Sequence, residues 1–346
     1  MDFLNYTPFE PMRFESLDIN DDPFQVVILR GTFDIIPNAQ LRTASVQEPI
    51  VLTDEFYQEL NTSSIRFESD LAPYKPRSDI IVNAHAISPG GKPLQHWLVG
   101  VQVGKLQKRL LVTGPRYWNH HFVGGWKISN PEPCTEVPIK YEYAYGGQWR
   151  YEEESGVCEE NPVGVGYVNK KYLSKSQPLP APRVMSPHDS ELELGESYKP
   201  EGLSVITKSW LPRRAQAGTY DEQWLKERHP YLPKDFDYAF YNSAHPSLIY
   251  DGYLKGDEAV VLQNLHPQHS TLNFYLPNCE VLLFLGYSGG KAGMCKLNLD
   301  TLHLEVAANR AYLVWRGQLP IVEKLRTIEA RAIIPDSHQQ GRGNGR

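Results

Sequence analysis

Apolar and polar positions alternate along most of this chain, and the runs they make are short. From Phe24 the stretch QVVILRGTFDII is a continuous apolar run that passes into alternation and stops at Pro37, the pattern of a strand. DIIVNAHAI repeats it and ends at the turn cluster Ser88-Pro89-Gly90-Gly91. HWLVGVQVG and KRLLVTG read as a hairpin turning across Lys105 to Gln107. In the second half, EAVVLQNLHP, TLNFYLP and EVLLFLG are short apolar runs spaced by Pro, Asn and Gly, as in a sandwich or barrel. CKLNLDTLHLEV alternates with a slip at Asp300-Thr301 that predicts a tight turn or a bulge. AYLVWRG and KLRTIEARAII follow as strands, the second by its β-branched content and the nearby Pro335. LTDEFYQEL at Leu52 to Leu60 fits a two-turn helix or a polar loop equally. The fold class predicted is mainly β, with antiparallel sheets in a sandwich or barrel-like two-lobed arrangement and a few short helices.

Between Asn119 and Arg183 the texture changes to Gly, Pro, Tyr and acid, a long excursion that its own aromatics would pack on the surface. A composition shift near Leu179 to Pro187 suggests a boundary. That divides the chain into an N-terminal β-rich lobe (1–185, excursion 119–183), a C-terminal β-rich lobe (186–334) and a disordered tail (335–346). No internal repeat is visible.

One stretch departs from this texture. KSWLPRRAQAGTYDEQWLKERHPYLPKDFDYAFYNSAHP, from Lys208 to Pro246, holds two Trp, four Tyr, two Phe and four Pro among six bases and five acids. Such rigid side chains belong to an ordered segment. Thr219 and Glu222 have the spacing of a capping box, which predicts a helix start, and Pro230 and Pro233 limit that helix to about two turns. Gly218 permits the sharp approach. Tyr220 and Trp224 then share a face, as do Trp224 and Arg228. Trp224 and Phe236 are expected inward, and Arg214, Tyr220, Lys226 and Lys234 outward.

The net charge is -6 and the pI near 6.0, so no face needs to be strongly basic, which argues against a nucleic-acid partner held by general electrostatics. The amino terminus lacks a basic region followed by an apolar run, and no apolar stretch approaches the roughly 20 residues that span a bilayer. A cytoplasmic protein without membrane partners is expected. Cys134, Cys158, Cys279 and Cys295 lie far apart without a C-x-x-C pair, as free thiols do. Gly286-Tyr287-Ser288-Gly289-Gly290 has the spacing of a nucleophile turn, but the following KAGMCKLNLDT does not read as a helix, so a Gly-rich hairpin is expected. His120-His121 and His266 with His269 lack the glutamate or cysteine partners of a metal site, and SGGKAG lacks phosphate-loop spacing. No metal or cofactor is expected. Asp235 and Asp237 could face one side of an extended segment as a glycosidase pair would, or cap turns and pair with Arg213, Arg214 or Arg228. A hydrolase using Asp235/Asp237 or Ser288 is the alternative to a binding protein. Trp, Tyr and Arg dominate binding energy at interfaces, which makes Trp210, Arg213, Arg214, Tyr220, Asp221, Trp224, Lys226, Arg228, Lys234, Asp235 and Asp237 the candidate protein-binding set.

The run W-x-P-R followed by G-T-Y-D-E-x-W-L-x-x-R-x-P-x-L-P-x-D-F-D-x-x-F-x-N-x-A resembles the signature of the bacterial family called domain of unknown function 2169. Matching pieces are DLAPYKPRSDIIV (Asp70 to Val82), RYW (Arg116 to Trp118), YEYAYGG (Tyr141 to Gly147), NPVGVGY (Asn161 to Tyr167) and LVWRG (Leu313 to Gly317). The resemblance covers most of the chain. It implies a type VI secretion accessory protein, an adaptor or chaperone that binds a toxic effector and helps load it onto the secretion spike. Its partners would be the effector and a spike-tip component. Two departures bear on which effector: no pentapeptide-repeat extension follows Pro335, and HPSL follows Ala244 where a more polar continuation is the pattern.

Overall fold

The computed structural model describes residues 1–60, 62–189, 191–321 and 325–333. Strand outweighs helix by 43% to 9%, and no sheet closes into a barrel. The largest sheet runs Glu10–Leu17, Pro23–Asp34, Arg310–Pro320, Asn298–Glu305, Asp79–Asn83, with the short Arg42–Thr43 strand beside Pro23–Asp34. The Pro23–Asp34 strand shows why its apolar run is continuous. Val27, Leu29 and Phe33 face the main core, while Val26 and Ile28 face a smaller one with Ile50 and Val314. Both faces are covered, so successive side chains are apolar on each.

A five-stranded sheet carries Val184–Met185, Leu106–Thr113, His96–Val103, Ala259–Gln263 and Thr271–Tyr275. The expected hairpin is its centre, with Leu106 opposite Val103. A four-stranded sheet carries Asp2–Asn5, Leu325–Ile333, Glu280–Tyr287 and Ala292–Lys296. One apolar core draws on all three sheets, through residues such as Val99, Leu262, Leu283, Leu304, Ile328 and Trp315.

Several expectations are corrected. Leu52 to Leu60 is neither helix nor plain loop: Glu55–Phe56 pairs with Ile65–Phe67. DIIVNAHAI is two strands in two sheets, Asp79–Asn83 and His85–Ile87, because Ala84 separates the pairings. Not every pairing is antiparallel. Asp79–Asn83 runs parallel to Thr301–Glu305, and Asp2–Asn5 parallel to Leu325–Ile333 within 327–330. Strands from both sides of residue 185 are hydrogen-bonded neighbours in each of the three large sheets. The sheets are therefore not divided between lobes 1–185 and 186–334, because backbone pairing joins the chain's two ends. The slip at Asp300 is a bulge, with the register shifting between Leu299 and Thr301.

The 119–183 excursion packs Trp126, Val168, Leu173 and Ala181 against a small core supplied mostly by its flanks, Trp118, Met185, Leu192 and Leu194, and stacks the Tyr151 and Tyr172 rings 4.5 Å apart. Gly146 shows how tightly it is drawn in: with φ +149°, a Cβ there would lie 2.2 Å from the Asn161 carbonyl oxygen. Among the described residues no helix is long and apolar enough to cross a membrane. The tail 335–346 lies outside the described residues.

Candidate functional site

Near its two ends the Lys208 to Pro246 segment dips into the molecule, at Trp210 and Arg213 and again at 242–244. Trp210 is buried edge-on against Tyr141, 5.6 Å between ring centres. Arg213 is buried as well, donating to the Ile206 and Phe240 carbonyls and sitting 2.8 Å from Glu68. These two members of the predicted binding set are structural, because no surface of theirs reaches solvent. The only α-helix of the described residues, Glu222–Glu227, follows.

Its cap is a correction. Asp221, not Thr219, accepts from the Trp224 N–H at 2.8 Å. Thr219 is drawn elsewhere: its N–H and hydroxyl both donate to Asp235, at 3.0 and 2.7 Å. The left-handed Gly218 (φ +81°) brings the two together, since a Cβ there would lie 2.9 Å from the Asp235 carboxylate. Trp224 is only half-buried, packed against Tyr220 at 4.7 Å and donating from Nε1 to the Tyr231 carbonyl. It is not the core anchor predicted, because the helix lies on the surface with no buried face. Phe236 is buried as expected.

A clasp holds this surface loop to the turn between Glu10–Leu17 and Pro23–Asp34. Arg228 grips Asp21 with two nitrogens at 2.7 and 2.9 Å, Lys234 donates to the Ile19 carbonyl at 2.8 Å, and the Ile19 N–H donates to the Tyr238 hydroxyl at 3.2 Å. Arg214 pairs with Glu159, and Lys226 lies 3.7 Å from Glu222 with both side chains largely in water. Asp237 accepts from the Ala239 N–H and starts a 3-10 turn. Asp235 and Asp237 thus cap turns, as the plainer reading held, but their partners are Thr219 and Ala239 rather than arginines. The large apolar and aromatic side chains left exposed on the segment's outer surface are Tyr220, Leu225 and Tyr231.

Beneath the segment lies a charged cluster that sequence reasoning missed. Asp79 accepts from Lys75 at 2.7 Å, Asn242 at 3.0 Å and the Ser243 N–H at 2.9 Å, while Lys75 also donates to Thr301. Arg316 donates to Asp300 at 2.6 Å and to the carbonyls of Asp70 and Ala72; Arg30 donates to the Asp70 carboxylate. With Glu68 and Arg213 this makes four bases and four acids, all but out of water. Burial opposes the charge on Glu68, yet Arg213, Lys75 and Lys208 outweigh it and hold the carboxyl below its ordinary value. Burial likewise opposes the charge on Lys75, but Asp79, Asp300 and Glu68 hold its ammonium above the usual lysine range. The family-like pieces DLAPYKPRSD, W-x-P-R, N-x-A and LVWRG meet here. Their residue types answer to paired charge in the interior. The signal was present as charge set into apolar strands: Asp79 before IIV, Arg316 after LVW, Asp300 at the slip.

Above this cluster the surface opens into a cleft. Its first part, about 420 Å³, is lined by Tyr253, Lys255, Asp257, Glu280, Lys296 and Asn298. A smaller hollow over Lys75, Asp300 and Arg316 shares Tyr253 and Asn298 with it, and shares Tyr74 and Gln318 with a second part of about 450 Å³. There Tyr74 stands edge-on to Tyr238 at 5.3 Å, beside Phe24, Leu319 and Pro320, with Asp18 and Asp22 at the rim. The signature segment supplies one wall of this cleft through Tyr238.

The remaining chemistry is sparser. Ser288 sits in the turn between two antiparallel strands, Glu280–Tyr287 and Ala292–Lys296, so no helix follows it. Another serine was missed: Ser247 Oγ lies 2.8 Å from His245 Nδ1 and 2.9 Å from Lys108 Nζ, and Lys108 is 2.5 Å from Glu201. Yet Nδ1 already accepts the Ser247 N–H, and burial with Lys108 nearby lowers the imidazole to about 3. It is a poor base near neutrality. The four cysteines are free thiols, though only Cys279 is fully buried. No group of three or more His, Cys, Asp or Glu among the described residues is placed to hold a metal.

No curated protein and no solved structure matches the chain. One family model does, over residues 21–316, a span that takes in the Asp21–Arg228 pair of the clasp, the buried charges of the cluster and most of the cleft. By that match the chain belongs to the domain of unknown function 2169 family, whose members are described as uncharacterized proteins conserved in bacteria.

Proposed function

We propose that this protein is a cytoplasmic docking adaptor: it binds one partner protein through the outer face of the clasped segment and performs no bond-making on it. The observation that carries this reading is that Tyr220, Leu225 and Tyr231 stand exposed on a segment that the Asp21 clasp and the buried Arg213 hold rigid. Exposed aromatics on a fixed support lose little conformational freedom on binding, which is why such residues dominate interface energies. The resemblance noted from the signature supports a type VI secretion role, with a toxic effector as partner and loading onto the spike as the task.

The test is affinity purification of the tagged chain from its native host, without added nucleotide or metal. A single partner at a fixed ratio is expected, its level falling on deletion of the adaptor. Tyr220→Ala with Tyr231→Ala should weaken binding by about 2 kcal/mol or more while the melting temperature stays near that of the parent. Undiminished binding by that folded variant moves the docking face elsewhere, first to the hairpin tip at Phe122 and Val123 in the excursion, where Phe122 is fully exposed. Full secretion and partner stability in the deletion strain refutes the adaptor reading itself. Stoichiometric fluorophosphonate labelling that vanishes with Ser288→Ala or Ser247→Ala favours a hydrolase.

A further inference from the structure

The exposed helix face says where a partner could rest; the cleft beside it says what part of a partner could enter. We propose that the second part of the cleft takes an extended, unstructured segment of the partner carrying a Lys or Arg next to a proline. This rests on the docking reading above and adds the chemistry of the docked piece.

The walls argue for proline. Tyr74, Tyr238 and Phe24 line it with aromatic rings and Pro320 with an aliphatic one, and the Tyr238 ring is fixed through its hydroxyl by the Ile19 N–H. An aromatic-lined groove of this kind suits a polyproline-type backbone, which is already extended and gives up little entropy on docking. The volume of about 450 Å³ falls within the range of clefts that hold small ligands and side chains.

The rim argues for a cation. Three aspartates stand in the adjoining turn against two clasp cations; Arg228 pairs with Asp21 and Lys234 binds the Ile19 carbonyl, and neither forms an ion pair with Asp18 or Asp22. Asp18 holds two backbone N–H groups, of Asn20 and Asp22, with one oxygen. Asp22 is exposed and has no ion-pair partner among the described residues. Two carboxylates at the lip of an apolar cleft favour a positively charged residue beside the apolar one and disfavour an acidic segment.

The experiment is selection of a random linear twelve-residue peptide phage library on the immobilised full-length chain, followed by fluorescence-polarisation titration of the enriched peptides. Enriched sequences should carry Lys or Arg beside Pro, and binding should weaken as salt rises from 50 to about 500 mM, since exposed charge pairs are screened. Asp22→Lys, whose side chain makes no contact needed for folding, should weaken them about tenfold, and Tyr74→Ala about tenfold or more. No enrichment over an unrelated control protein, enrichment of acidic sequences, or binding untouched by Asp22→Lys overturns the proposal. An empty selection alongside partner capture that survives Asp22→Lys but not Tyr220→Ala with Tyr231→Ala removes the cleft proposal and leaves the adaptor reading standing.

Discussion

His245 shows how a single residue can set the response of the fold to acid. Burial and the neighbouring Lys108 lower its imidazole to about 3, against an ordinary value of 6.5. The unfolded chain therefore binds a proton on this ring between those limits and the folded chain does not, so stability present above about pH 6.5 is lost as pH falls toward 3. The loss is at most about 1.4 kcal/mol per pH unit for one group. Urea unfolding between pH 7.5 and 5 should show this slope, and His245→Asn, which keeps an acceptor for the Ser247 N–H, should flatten it; an equal slope in the variant assigns the effect to other groups. Asp79 is more critical still. Its removal leaves the Ser243 N–H without its acceptor, Asn242 with the Arg77 carbonyl alone and the buried Lys75 ammonium with only the Thr301 hydroxyl in place of its carboxylate, and Asp79→Ala should cost about 3–5 kcal/mol in the same assay. A cost below 1 kcal/mol would mean that water or Asp300 replaces it.

At the scale of elements, the clasped segment is secured by its ends and not by its helix. Glu222–Glu227 has no buried face, so its own cap contributes modestly: Asp221→Ala should cost about 0.5–2 kcal/mol. Arg228→Ala with Lys234→Ala releases the turn at Ile19 and Asp21 instead. Hydrogen exchange should then speed up across 219–241 while the strands of the main sheet keep their protection. Uniform acceleration through the sheets would mean that the clasp stabilises the core and not the segment. The helix start was legible in the sequence to within two residues. Its cap was not, because Thr219 and Asp221 each offered an oxygen to the first-turn N–H groups, and only the position of Asp235 in space drew the Thr219 hydroxyl away as a donor.

The whole molecule is tied together by strands from opposite ends of the chain. Pro23–Asp34 pairs with Arg310–Pro320 over its length, and His96–Val103 with Ala259–Gln263. Fragments 1–185 and 186–346 should each be unfolded alone by far-UV circular dichroism, since each would expose strands whose partners lie in the other. The intact chain should unfold in one transition, coincident by tryptophan fluorescence and circular dichroism. Two separated transitions, or a folded fragment, would restore the division into lobes.

The sequence by itself determined the fold class, nearly every long strand and the slip at Asp300, which the structure resolves as a bulge and not a turn. Period-two patterning is a local property, imposed by which face of a strand meets the core. It also placed Arg214, Lys226 and Lys234 outward, because long charged side chains without a buried partner stay in water, but it set Trp224 inward where the helix keeps it on the surface. Only the tertiary structure decided that Arg213 and Trp210 belong to the interior, that Asp79, Glu68, Asp300 and Arg316 balance one another there, and that Tyr74, Tyr238 and Tyr253 line one cleft. Those groups lie up to 246 residues apart along the chain, as Arg316 and the Asp70 carbonyl do. Charge pairing and cleft walls depend on distance in space, which strand pairing sets and local pattern does not record.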